Sequence, residues 1–504
     1  MTLAVVHSRA LVGIEAPPVD AEVHLGGGLP SLSIVGLPEA AVKESKDRVR
    51  AALQTAGFDF PQRRITVNLS PADLPKEGGR YDLPIALGIL AASGQIPAAA
   101  LRDEEFIGEL ALGGALRPIR GALPAAIGAG NSGRGLTLPH ANADEAALAA
   151  SAPIHPAQHL LAVCTELRGE TQRSLHTAVA PAPPAGYTVP DLADVQGQRQ
   201  ARRALEIAAA GQHNLLFVGP PGTGKSMLAA RMPGILPPMT AAEALEVATI
   251  ASIAGNNDPS AHWGKRPFRA PHHTASGVAL VGGGGHPRPG EISLAHRGVL
   301  FLDEVAEFDR RVLEVLREPM ETGTITISRA ARHAEFPARF QLLAAMNPCP
   351  CGQRGDPAAV CSCSPEQVAR YRARISGPFL DRIDMHLEVP RVPRERMRQE
   401  AGDSECSAQV RARVEAARER ALARHGQPNA TVPGPELERT GAFEDAALRR
   451  LDGMIDALGL SARAYHRVLR LARTIADLAP ATEVDEATVV EALAYRALDR
   501  PTAQ

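Results

Sequence analysis

Short apolar runs alternate with helical segments through the middle of the chain. Three of these runs, at 215–218, 299–302 and 340–346, are each followed by glycine or polar residues. Runs of this length between helical segments are typical of buried parallel strands. The pattern therefore predicts an α/β domain with a parallel sheet over 191–390.

The C-terminal region, 391–504, is predicted to be a helical lid with a charged insert. Its clearest helix follows Ser461, a favourable N-cap residue. Apolar residues recur there at three- and four-residue steps, namely Val468, Leu471, Ile475 and Leu478. Residues 391–424 are instead rich in Arg and Glu, which is typical of a solvated helix. We expect the apolar face after Ser461 to dock on the preceding domain.

The N-terminal region, 1–167, is predicted to be a separate α/β domain. Residues 178–190 are crowded with Pro and Ala and show no periodicity, which indicates a linker over 168–190. A chain of 504 residues is too long for one hydrophobic core. The division into three regions fits the usual domain size of roughly 100 to 200 residues.

Composition narrows the function classes. The formal net charge of -2 does not indicate a general nucleic-acid binder, so a DNA-binding surface would have to be a local patch. The longest apolar stretch is far shorter than the roughly 20 residues of a membrane-spanning helix, and no signal peptide is recognisable. We expect a cytoplasmic protein without a membrane partner, whose six cysteines are reduced or bound to metal.

A glycine-rich loop follows the first apolar run. Its sequence, GPPGTGKS, has the P-loop pattern in the strand, loop and helix context that the motif requires. In such a loop backbone N–H groups surround phosphate oxygens, the lysine contacts the β and γ phosphates, and the serine hydroxyl binds Mg²⁺. The predicted nucleotide-binding residues are Gly219, Pro220, Pro221, Gly222, Thr223, Gly224, Lys225 and Ser226.

Two carboxylates follow the second apolar run, at the strand end where ligands of open α/β sheets bind. Asp303 is predicted to hold Mg²⁺, and Glu304 to polarise the water that attacks the γ-phosphate. The third run ends at Asn347, whose amide is predicted to orient the same water. These features together resemble an AAA+ ATPase, with ATP and Mg²⁺ as ligands and Asn347 at the sensor 1 position.

Arginines are the candidates to complete this site. Arg382 either reaches the γ-phosphate of a neighbouring subunit as an arginine finger or forms an ion pair with a nearby aspartate. Arg374 is the second candidate for the finger. Arg463 and Arg467 lie one turn apart on the predicted C-terminal helix, and of the two we assign Arg463 as the sensor 2 residue that acts on nucleotide in the same subunit.

Four cysteines directly follow Asn347. Cys349 and Cys351 form one pair, and Cys361 and Cys363 form another. Structural zinc favours four thiolates, but such pairs usually have two or more intervening residues, whereas each pair here has one. The cluster is therefore either a Zn²⁺ site or a loop of reduced cysteines.

Two segments are candidates for substrate contact. Residues 324–328 alternate like one arm of a hairpin, and its basic tip supplies candidate DNA-binding residues, namely Arg329, Arg332 and His333. The alternative is a solvated turn. Residues 277–290 form a glycine-rich insertion that is suited to moving with the nucleotide state. His272 and His273, just before it, have no carboxylate or cysteine nearby in sequence, and we interpret them as structural.

Longer strings identify the family that the chain resembles. They are RAPHHTAS at 269–276, PGEISLAHRGVLFLDE at 289–304, MNPCPCG at 346–352 and RTIADL at 473–478. Together they resemble the magnesium-chelatase-like ComM/YifB family over nearly the whole chain. The resemblance implies a Lon-protease-like N-terminal domain, of the ribosomal protein S5 domain 2-like fold, joined to an AAA+ P-loop core and a helical lid.

The Lon-like segments lack the catalytic residues of a protease. PKEGGRYDL at 75–83 and IGELALGGALRPIRG at 107–121 resemble the Lon segments that carry its serine and lysine. Arg80 occupies about the position of the serine, and no lysine follows Gly121 where one would be needed. We expect a domain without peptidase activity.

The family resemblance implies a homohexameric, ATP-driven DNA motor. Its family role is branch migration on recombination intermediates during natural transformation, with branched DNA or single-strand/duplex junctions as partners. A chelatase-type remodeller that acts on a partner protein is the alternative, and the fused Lon-like domain argues against it. An ATP-dependent protease is disfavoured because the serine and lysine are missing.

Overall fold

The computed structural model describes residues 2–177, 189–255, 260–284, 287–329, 332–392, 404–496 and 498. Its strands are β1 Leu3–Arg9, β2 Pro18–Gly26, β3 Ser31–Val35, β4 Arg64–Ser70, β5 Glu104–Phe106, β6 Glu109–Leu110, β7 Leu116–Arg117, β8 Gly135–Pro139, β9 Ile154–Ala157, β10 Leu215–Val218, β11 Phe268–Arg269, β12 Gly282–Gly283, β13 Arg288–Pro289, β14 Val299–Leu302, β15 Thr324–Arg329, β16 Arg332–Pro337, β17 Gln341–Met346 and β18 Met385–Glu388.

The helices of the described residues are α1 Ala40–Lys43, α2 Ser45–Thr55, α3 Asp82–Ala92, α4 Ala122–Asn131, α5 Ala143–Ala147, α6 Leu160–Leu167, α7 Arg199–Gly211, α8 Lys225–Ile235, α9 Ala241–Ala254, α10 Gly277–Val281, α11 Glu291–Leu294, α12 Arg310–Val315, α13 Arg317–Thr322, α14 Pro365–Arg372, α15 Gly377–Leu380, α16 Ser407–His425, α17 Gly434–Thr440, α18 Asp445–Leu458, α19 Ala462–Leu478 and α20 Glu486–Ala494.

The chain divides into two compact units. Unit 1 comprises 1–185 together with 241–263 and 328–335, and unit 2 comprises 186–240, 264–327 and 336–504. Of the predicted linker over 168–190, residues 178–188 lie outside the described part of the chain. The limits of the three predicted regions remain predictions.

Unit 1 is built on a seven-stranded mixed sheet with the order β3-β4-β2-β1-β5-β8-β9. Strand β2 pairs antiparallel with β1 and with β4, and the remaining pairs in the sheet are parallel. Helix α3 is buried along its whole length and packs on β1 and β2. A Cβ on Gly88 of α3 would lie 2.4 Å from Cγ2 of Val23, so the absence of a side chain brings the helix close to the sheet.

Helix α9 belongs to unit 1 although it follows the P-loop in sequence. It packs against α4, and its Ser252 carbonyl accepts a hydrogen bond from the Gly121 N–H at 3.3 Å. One side of α9 is apolar and buried, including Ala248, Ile250 and Ile253. Unit 1 is therefore assembled from segments that are distant in sequence.

Unit 2 contains a five-stranded parallel sheet with the order β11-β14-β17-β10-β18. The apolar runs predict this burial correctly, since β10, β14 and β17 are buried at every residue. Two of these strands have the predicted limits, and the third begins one residue later, at Gln341. All carboxyl ends lie at one edge of the sheet, as the strands are parallel.

The C-terminal helices share the hydrophobic core of unit 2. Helix α19 begins after Ser461, whose hydroxyl accepts a hydrogen bond from the Ala464 N–H at 3.3 Å, so the predicted cap is confirmed. Val468 and Leu471 are fully buried there. The interpretation of the charged segment as a solvated helix is wrong for one face of α16. Buried residues such as Val414 line that face, because α16 packs on α7.

No helix within the described ranges combines the length and apolarity that crossing a lipid bilayer requires.

Candidate nucleotide-binding site

The glycine-rich loop leaves β10 where the backbone has little space for side chains. A Cβ on Gly219 would lie 2.3 Å from the carbonyl oxygen of Val389, so any other residue would force the loop away from its neighbour. Gly224 precedes α8 with φ at +89°, a conformation that favours glycine. Helix α8 therefore begins at Lys225 and directs its first free N–H groups towards the loop.

Lys225 is a buried cation tied to its own loop. Its Nζ donates hydrogen bonds to two loop carbonyl oxygens at 2.6 and 2.9 Å and lies 3.4 Å from Oδ1 of Asn347. Burial lowers the pKa of Lys225 below its ordinary value, while the carboxylates of Asp303 and Glu304 act in the opposite direction. The amine is thus positioned beside both acidic residues.

The predicted magnesium ligands are adjacent. The Ser226 hydroxyl donates a hydrogen bond to Oδ2 of Asp303 at 2.6 Å. Both are oxygen ligands of the kind that Mg²⁺ prefers, and Mg²⁺ typically uses one or two such groups together with phosphate oxygens and water. The donor set therefore fits a Mg²⁺–nucleotide complex at this position.

Glu304 occupies an unusual backbone conformation. Its φ is +52°, and its N–H donates a hydrogen bond to Oδ1 of Asp303 at 2.9 Å. Non-glycine residues rarely adopt this region, and the conformation costs of order 1–3 kcal/mol. The turn separates the two carboxylates immediately after β14 and leaves half of the Glu304 side chain exposed, as a base for a water molecule requires.

Asn347 lies between these groups because of the strand order. Strand β17 is placed between β14, which carries the acidic pair, and β10, which carries the loop. Asn347 follows β17 directly, and its Oδ1 faces the Lys225 amine. The structure thus brings Lys225, Ser226, Asp303, Glu304 and Asn347 together at one edge of the sheet.

Further residues at this edge were not predicted as site residues. His273 Nδ1 lies 3.4 Å from Oε2 of Glu304. Gln198 donates hydrogen bonds from Nε2 to the carbonyl oxygens of Thr223, at 3.2 Å, and Pro390, at 2.8 Å. Strand β11, before His273, has only two residues, which is too short for periodicity to reveal a strand whose end contributes to the site.

Arg382 forms an ion pair, but with a residue distant in sequence. Its Nη2 lies 2.6 Å from Oε1 of Glu321 in α13, and 10% of its side chain is exposed. Its Nη1 donates to the Pro378 carbonyl oxygen at 2.6 Å. Arg374 is more exposed and pairs with Glu307 at 2.6 Å. Neither arginine hydrogen bonds to the glycine-rich loop within the described residues.

The two candidate sensor 2 arginines differ in environment. Arg467 donates a hydrogen bond to Oδ1 of Asp384 at 2.9 Å. Asp384 directly precedes β18, at the sheet edge opposite the glycine-rich loop. Arg463, one turn earlier on α19, is exposed, and no hydrogen bond or ion pair is formed by its side chain in the described structure. The sensor 2 assignment of Arg463 stays a prediction.

Comparison with known proteins identifies the family. The model of the family "Magnesium chelatase, subunit ChlI" matches 191–397. Those of "Subunit ChlI of Mg-chelatase" and "Magnesium chelatase, subunit ChlI C-terminal" match 21–142 and 404–496. The competence protein ComM of Haemophilus influenzae is 51% identical over 99% of this chain and 98% of its own length. The YifB protein of Salmonella typhimurium is 50% identical over the same shares.

The chain belongs to the magnesium-chelatase-like ComM/YifB family. The 38 kDa subunit of magnesium chelatase from Cereibacter sphaeroides is more distant, at 26% identity over 31% of this chain and 51% of its own length. The parallel sheet and flanking helices of unit 2 agree with the AAA+ fold of magnesium-chelatase-like proteins. ATP and Mg²⁺ are accordingly the ligands that the family suggests.

The four clustered cysteines of this ComM/YifB member lie close together. Their ligand atoms are all within 4.8 Å of one another, and three Sγ pairs are 3.4 to 3.7 Å apart. A backbone hydrogen bond from Gln353 and a contact with the Cys363 thiol lower the pKa of Cys351 to about 6. The loop also contacts the nucleotide site, because a Cβ on Gly352 would lie 2.7 Å from Cδ of Pro221.

The predicted DNA-contacting segments are only partly described. Strands β15 and β16 form a two-stranded sheet, as the alternation of residues 324–328 suggests. Residues 330–331 and the side chains of Arg329, Arg332 and His333 lie outside the described part of the structure. In the glycine-rich insertion, β12 pairs antiparallel with β13, and residues 285–286 are likewise not described.

Arg80 has a structural role in unit 1. Its guanidinium is buried and donates hydrogen bonds to the carbonyl oxygens of Arg120 and, at 3.4 Å, Arg9. Burial lowers the pKa of Arg80. The guanidinium binds backbone and offers no nucleophile. The lack of peptidase activity stays a prediction.

Proposed function

We propose that this protein is an ATP-driven, homohexameric DNA motor that moves branched DNA, with branch migration on recombination intermediates as its role. One observation supports the ATPase part most directly, namely the convergence of Lys225, Ser226, Asp303, Glu304 and Asn347 at one sheet edge. The Haemophilus relative is a competence protein, which supports a role in natural transformation. A cytoplasmic location fits this function.

Each residue has a distinct task in the proposed reaction. Lys225 and the loop N–H groups bind the β and γ phosphates, and Ser226 and Asp303 hold Mg²⁺, which neutralises charge on the phosphates. Glu304 accepts a proton from the attacking water as general base, and Asn347 orients that water. The reaction class is phosphoryl transfer to water, for which positioning and charge stabilisation are the main requirements.

Assembly completes the site in this proposal. Arg382 acts as the arginine finger: its guanidinium leaves Glu321 and binds the γ-phosphate of the nucleotide in a neighbouring subunit. Arg463 acts as the sensor 2 residue on nucleotide in its own subunit. The ion pair with Glu321 holds the guanidinium in a fixed direction before that exchange. Isolated subunits are then weak ATPases, and Arg382→Ala removes turnover while nucleotide binding remains.

DNA contact is assigned to the hairpin of β15 and β16. Arg329, Arg332 and His333 at its tip follow the phosphate backbone, so that binding is salt-dependent and independent of base sequence. In the same proposal, the N-terminal unit is a Lon-like domain of the ribosomal protein S5 domain 2-like fold that has lost its catalytic serine and lysine. The C-terminal helices act as a lid over the nucleotide.

The four clustered cysteines are proposed to bind Zn²⁺. Zinc–sulfur bonds of about 2.3 Å in a tetrahedron place sulfur atoms about 3.8 Å apart. The observed separations of 3.4 to 3.7 Å for three pairs fit that geometry closely. Zinc content measured by elemental analysis is expected to be about one per chain and to fall in Cys361→Ser, whereas Cys164→Ser, at a buried isolated cysteine, should retain it.

A chelatase-type remodeller is the second candidate. This candidate is favoured by the similarity of 31% of this chain to a subunit of magnesium chelatase. A remodeller of this kind drives metal insertion by a partner protein and has no need of DNA. The two candidates therefore differ in what stimulates ATP hydrolysis.

The deciding experiment measures ATP hydrolysis by the full-length protein without nucleic acid and with single-stranded DNA, duplex or a four-way junction. We expect stimulation that is strongest with the junction and absent in Glu304→Gln, which should still bind ATP. Strand exchange on a labelled junction, followed on a gel, should need ATP and fail in the same variant. Hydrolysis that is indifferent to every DNA would overturn the motor proposal and favour the remodeller.

A further inference from the structure

A tight turn follows Asn347 and begins the segment that carries the four clustered cysteines. Residues 349–352, with the sequence CPCG, form this turn, and the Gly352 N–H donates a hydrogen bond of 3.0 Å to the Cys349 carbonyl oxygen. Proline at the second position and glycine at the fourth favour such a turn. Cys349 is fully buried. The turn therefore has a defined shape and starts only two residues after Asn347.

Gly352 lies where this turn meets the nucleotide site. A Cβ on Gly352 would lie 2.7 Å from Cδ of Pro221 and 3.8 Å from Cγ of Asn347. Non-bonded carbon atoms pack at about 3.5–4.0 Å, so a residue with a side chain would push the turn and the glycine-rich loop apart. The φ of Gly352, +76°, also favours glycine. The spacing between the glycine-rich loop and Asn347 thus depends on the position of this turn.

The clustered cysteines connect the two ends of the segment. Cys349 and Cys351 belong to the turn, whereas Cys361 and Cys363 directly precede Ser364, the N-cap residue of α14. Their four ligand atoms lie within 4.8 Å of one another. Thiols are weak hydrogen-bond donors, whereas a structural Zn²⁺ contributes folding energy directly. A zinc ion on these thiolates would therefore hold the turn at a fixed distance from α14.

We infer that zinc binding by the four clustered cysteines sets the rate of ATP hydrolysis, and that Gly352 is the positioning residue through which the metal acts on the nucleotide site. The inference rests on the proposed ATPase activity and zinc site, and it does not depend on DNA. The turn controls the spacing between Pro221 and Asn347, and with it the placement of the attacking water. Loss of zinc should therefore lower kcat but hardly alter the affinity for ADP, which has no γ-phosphate for that water to attack.

Two glycines of the segment separate the contact from backbone strain. Gly352 and Gly355 have φ values of +76° and +77°, but a Cβ on Gly355 would meet no atom within 4 Å. Gly352→Ala and Gly355→Ala therefore impose similar backbone strain, and only the first pushes on Pro221. Pro221→Ala removes Cδ and relieves that push. The double variant Pro221→Ala/Gly352→Ala completes a mutant cycle that measures the coupling between the two positions.

Zinc content, turnover and nucleotide binding are measured on the full-length protein without DNA. Zinc is removed by dialysis against a chelator, the chelator is washed out, and Zn²⁺ is returned to one portion. Mg²⁺ is supplied in excess in every assay. The constants compared are kcat and KM for ATP, Kd for a fluorescent ADP, and the melting temperature.

We expect zinc removal and Gly352→Ala each to lower kcat about tenfold, since a displacement of roughly 1 Å at a positioning group can cost about 100-fold. Kd for ADP should change less than about threefold. Returned Zn²⁺ should restore the wild type but not Gly352→Ala, which should already retain its metal. Gly355→Ala should stay within about twofold of wild type, and Gly352→Ala should cost less in the Pro221→Ala background.

Other outcomes overturn the inference in distinguishable ways. Full kcat in protein shown to lack zinc removes the role of the metal. Equal losses in Gly352→Ala and Gly355→Ala would assign the effect to backbone strain, and a rise in Kd for ADP that matches the fall in kcat would assign it to nucleotide binding. If zinc removal unfolds the protein, the metal-bound glycine variants still decide the positioning role.

Failure of the proposed function looks different. ATP hydrolysis that ignores DNA overturns the motor and leaves this inference standing, because every assay of it omits DNA. Wild-type protein that contains no zinc overturns the zinc site and the inference together. Zinc-bound wild type that hydrolyses no ATP overturns the proposed ATPase, and the inference with it.

Discussion

Each unit of the molecule buries a basic side chain beside a strand-to-helix connection, but the surroundings differ. In unit 2 the Lys225 amine binds loop carbonyl oxygens and has the carboxylates of Asp303 and Glu304 beside it. In unit 1 the Arg80 guanidinium binds the carbonyl oxygens of Arg9 and Arg120. Both cations have a pKa lowered by burial.

The difference lies in what else converges on each cation. Lys225 is followed by an exposed hydroxyl at Ser226, and neighbouring parallel strands deliver acidic and amide groups to the same edge. Arg80 is enclosed by backbone and lies beside the buried Tyr81. The Lys225 amine thus lies among oxygen and amide groups suited to a phosphate and a metal, whereas the Arg80 guanidinium contacts backbone.

The largest expected effect concerns the cation of unit 2. Lys225→Ala should lower ATP turnover at least about 100-fold, because it removes the positive charge that the proposed function assigns to the β and γ phosphates. The melting temperature should stay within a few degrees of wild type. Turnover and binding of a fluorescent nucleotide are measured beside Lys43→Ala, an exposed lysine in unit 1. Turnover near the wild-type rate would remove Lys225 from the site.

The cation of unit 1 should show the opposite behaviour. Arg80→Met leaves the carbonyl oxygens of Arg9 and Arg120 without this donor and should lower the free energy of unfolding of unit 1 by about 2 kcal/mol. Trp263, the single tryptophan, belongs to unit 1 and reports its unfolding in urea. ATP turnover per folded molecule should remain within twofold. The control is Arg102→Met at an exposed arginine. An unchanged urea midpoint would contradict the structural role.

Acid should lower the free energy of unfolding of unit 2, because this unit buries a histidine. Burial, opposed in part by Asp384, lowers the pKa of His213 from 6.5 to about 4. Below pH 6.5 His213 of the unfolded chain binds a proton, whereas His213 of the folded chain stays neutral down to about pH 4. The free energy of unfolding is therefore highest above pH 6.5 and decreases as the pH falls from 6.5 to 4. The loss reaches about 3 kcal/mol at most.

Urea unfolding of unit 2 at several pH values tests this effect. His213→Gln removes the titrating group and retains an amide near Nε2, the atom that lies 2.8 Å from the Thr474 hydroxyl. Between pH 6.5 and 4, the free energy of unfolding of the variant should depend less on pH than that of wild type. Parallel pH profiles for the two proteins would assign the acid sensitivity to other groups.

The smallest effect is expected at the cap of α19. Ser461→Ala removes the hydrogen bond that the Ala464 N–H donates to the hydroxyl and should cost about 1 kcal/mol of unit 2 stability. Ser461→Asp, which keeps an acceptor, should restore most of it. ATP turnover should be unaffected by either change when measured below the melting temperature. A loss of turnover without a loss of stability would indicate that α19 acts directly on nucleotide.

Local patterns predict the parts of the site that lie on continuous segments. The runs before Gly219, Asp303 and Asn347 are strands whose residues are all buried and, apart from Gln341, all apolar. Their order in the sheet does not follow from any one run, since β17 enters between β14 and β10. The resemblance to AAA+ proteins predicts that Asn347 lies near the glycine-rich loop and the acidic pair, and the structure gives the positions of these side chains.

Contacts between distant segments are what sequence patterns do not express. The pairing of Arg382 with Glu321 joins the turn after α15 to α13, whereas the sequence suggested a nearby aspartate. His273 faces Glu304 although no carboxylate is near it in sequence. In both cases the partner is set by packing of the chain around the sheet, which depends on many weak contacts at once.

The composition of unit 1 has a consequence for how the chain is made. Helix α9 and residues 328–335 belong to this unit, yet both leave the ribosome long after residue 185. Until α9 has been synthesised, the surface of unit 1 on which it packs stays exposed to solvent. This surface includes the Gly121 N–H, which donates a hydrogen bond to the Ser252 carbonyl oxygen of α9 in the complete unit. Synthesis beyond residue 335 is therefore required before the first unit has all of its parts, and a fragment ending at the linker would expose the unfilled surface to aggregation.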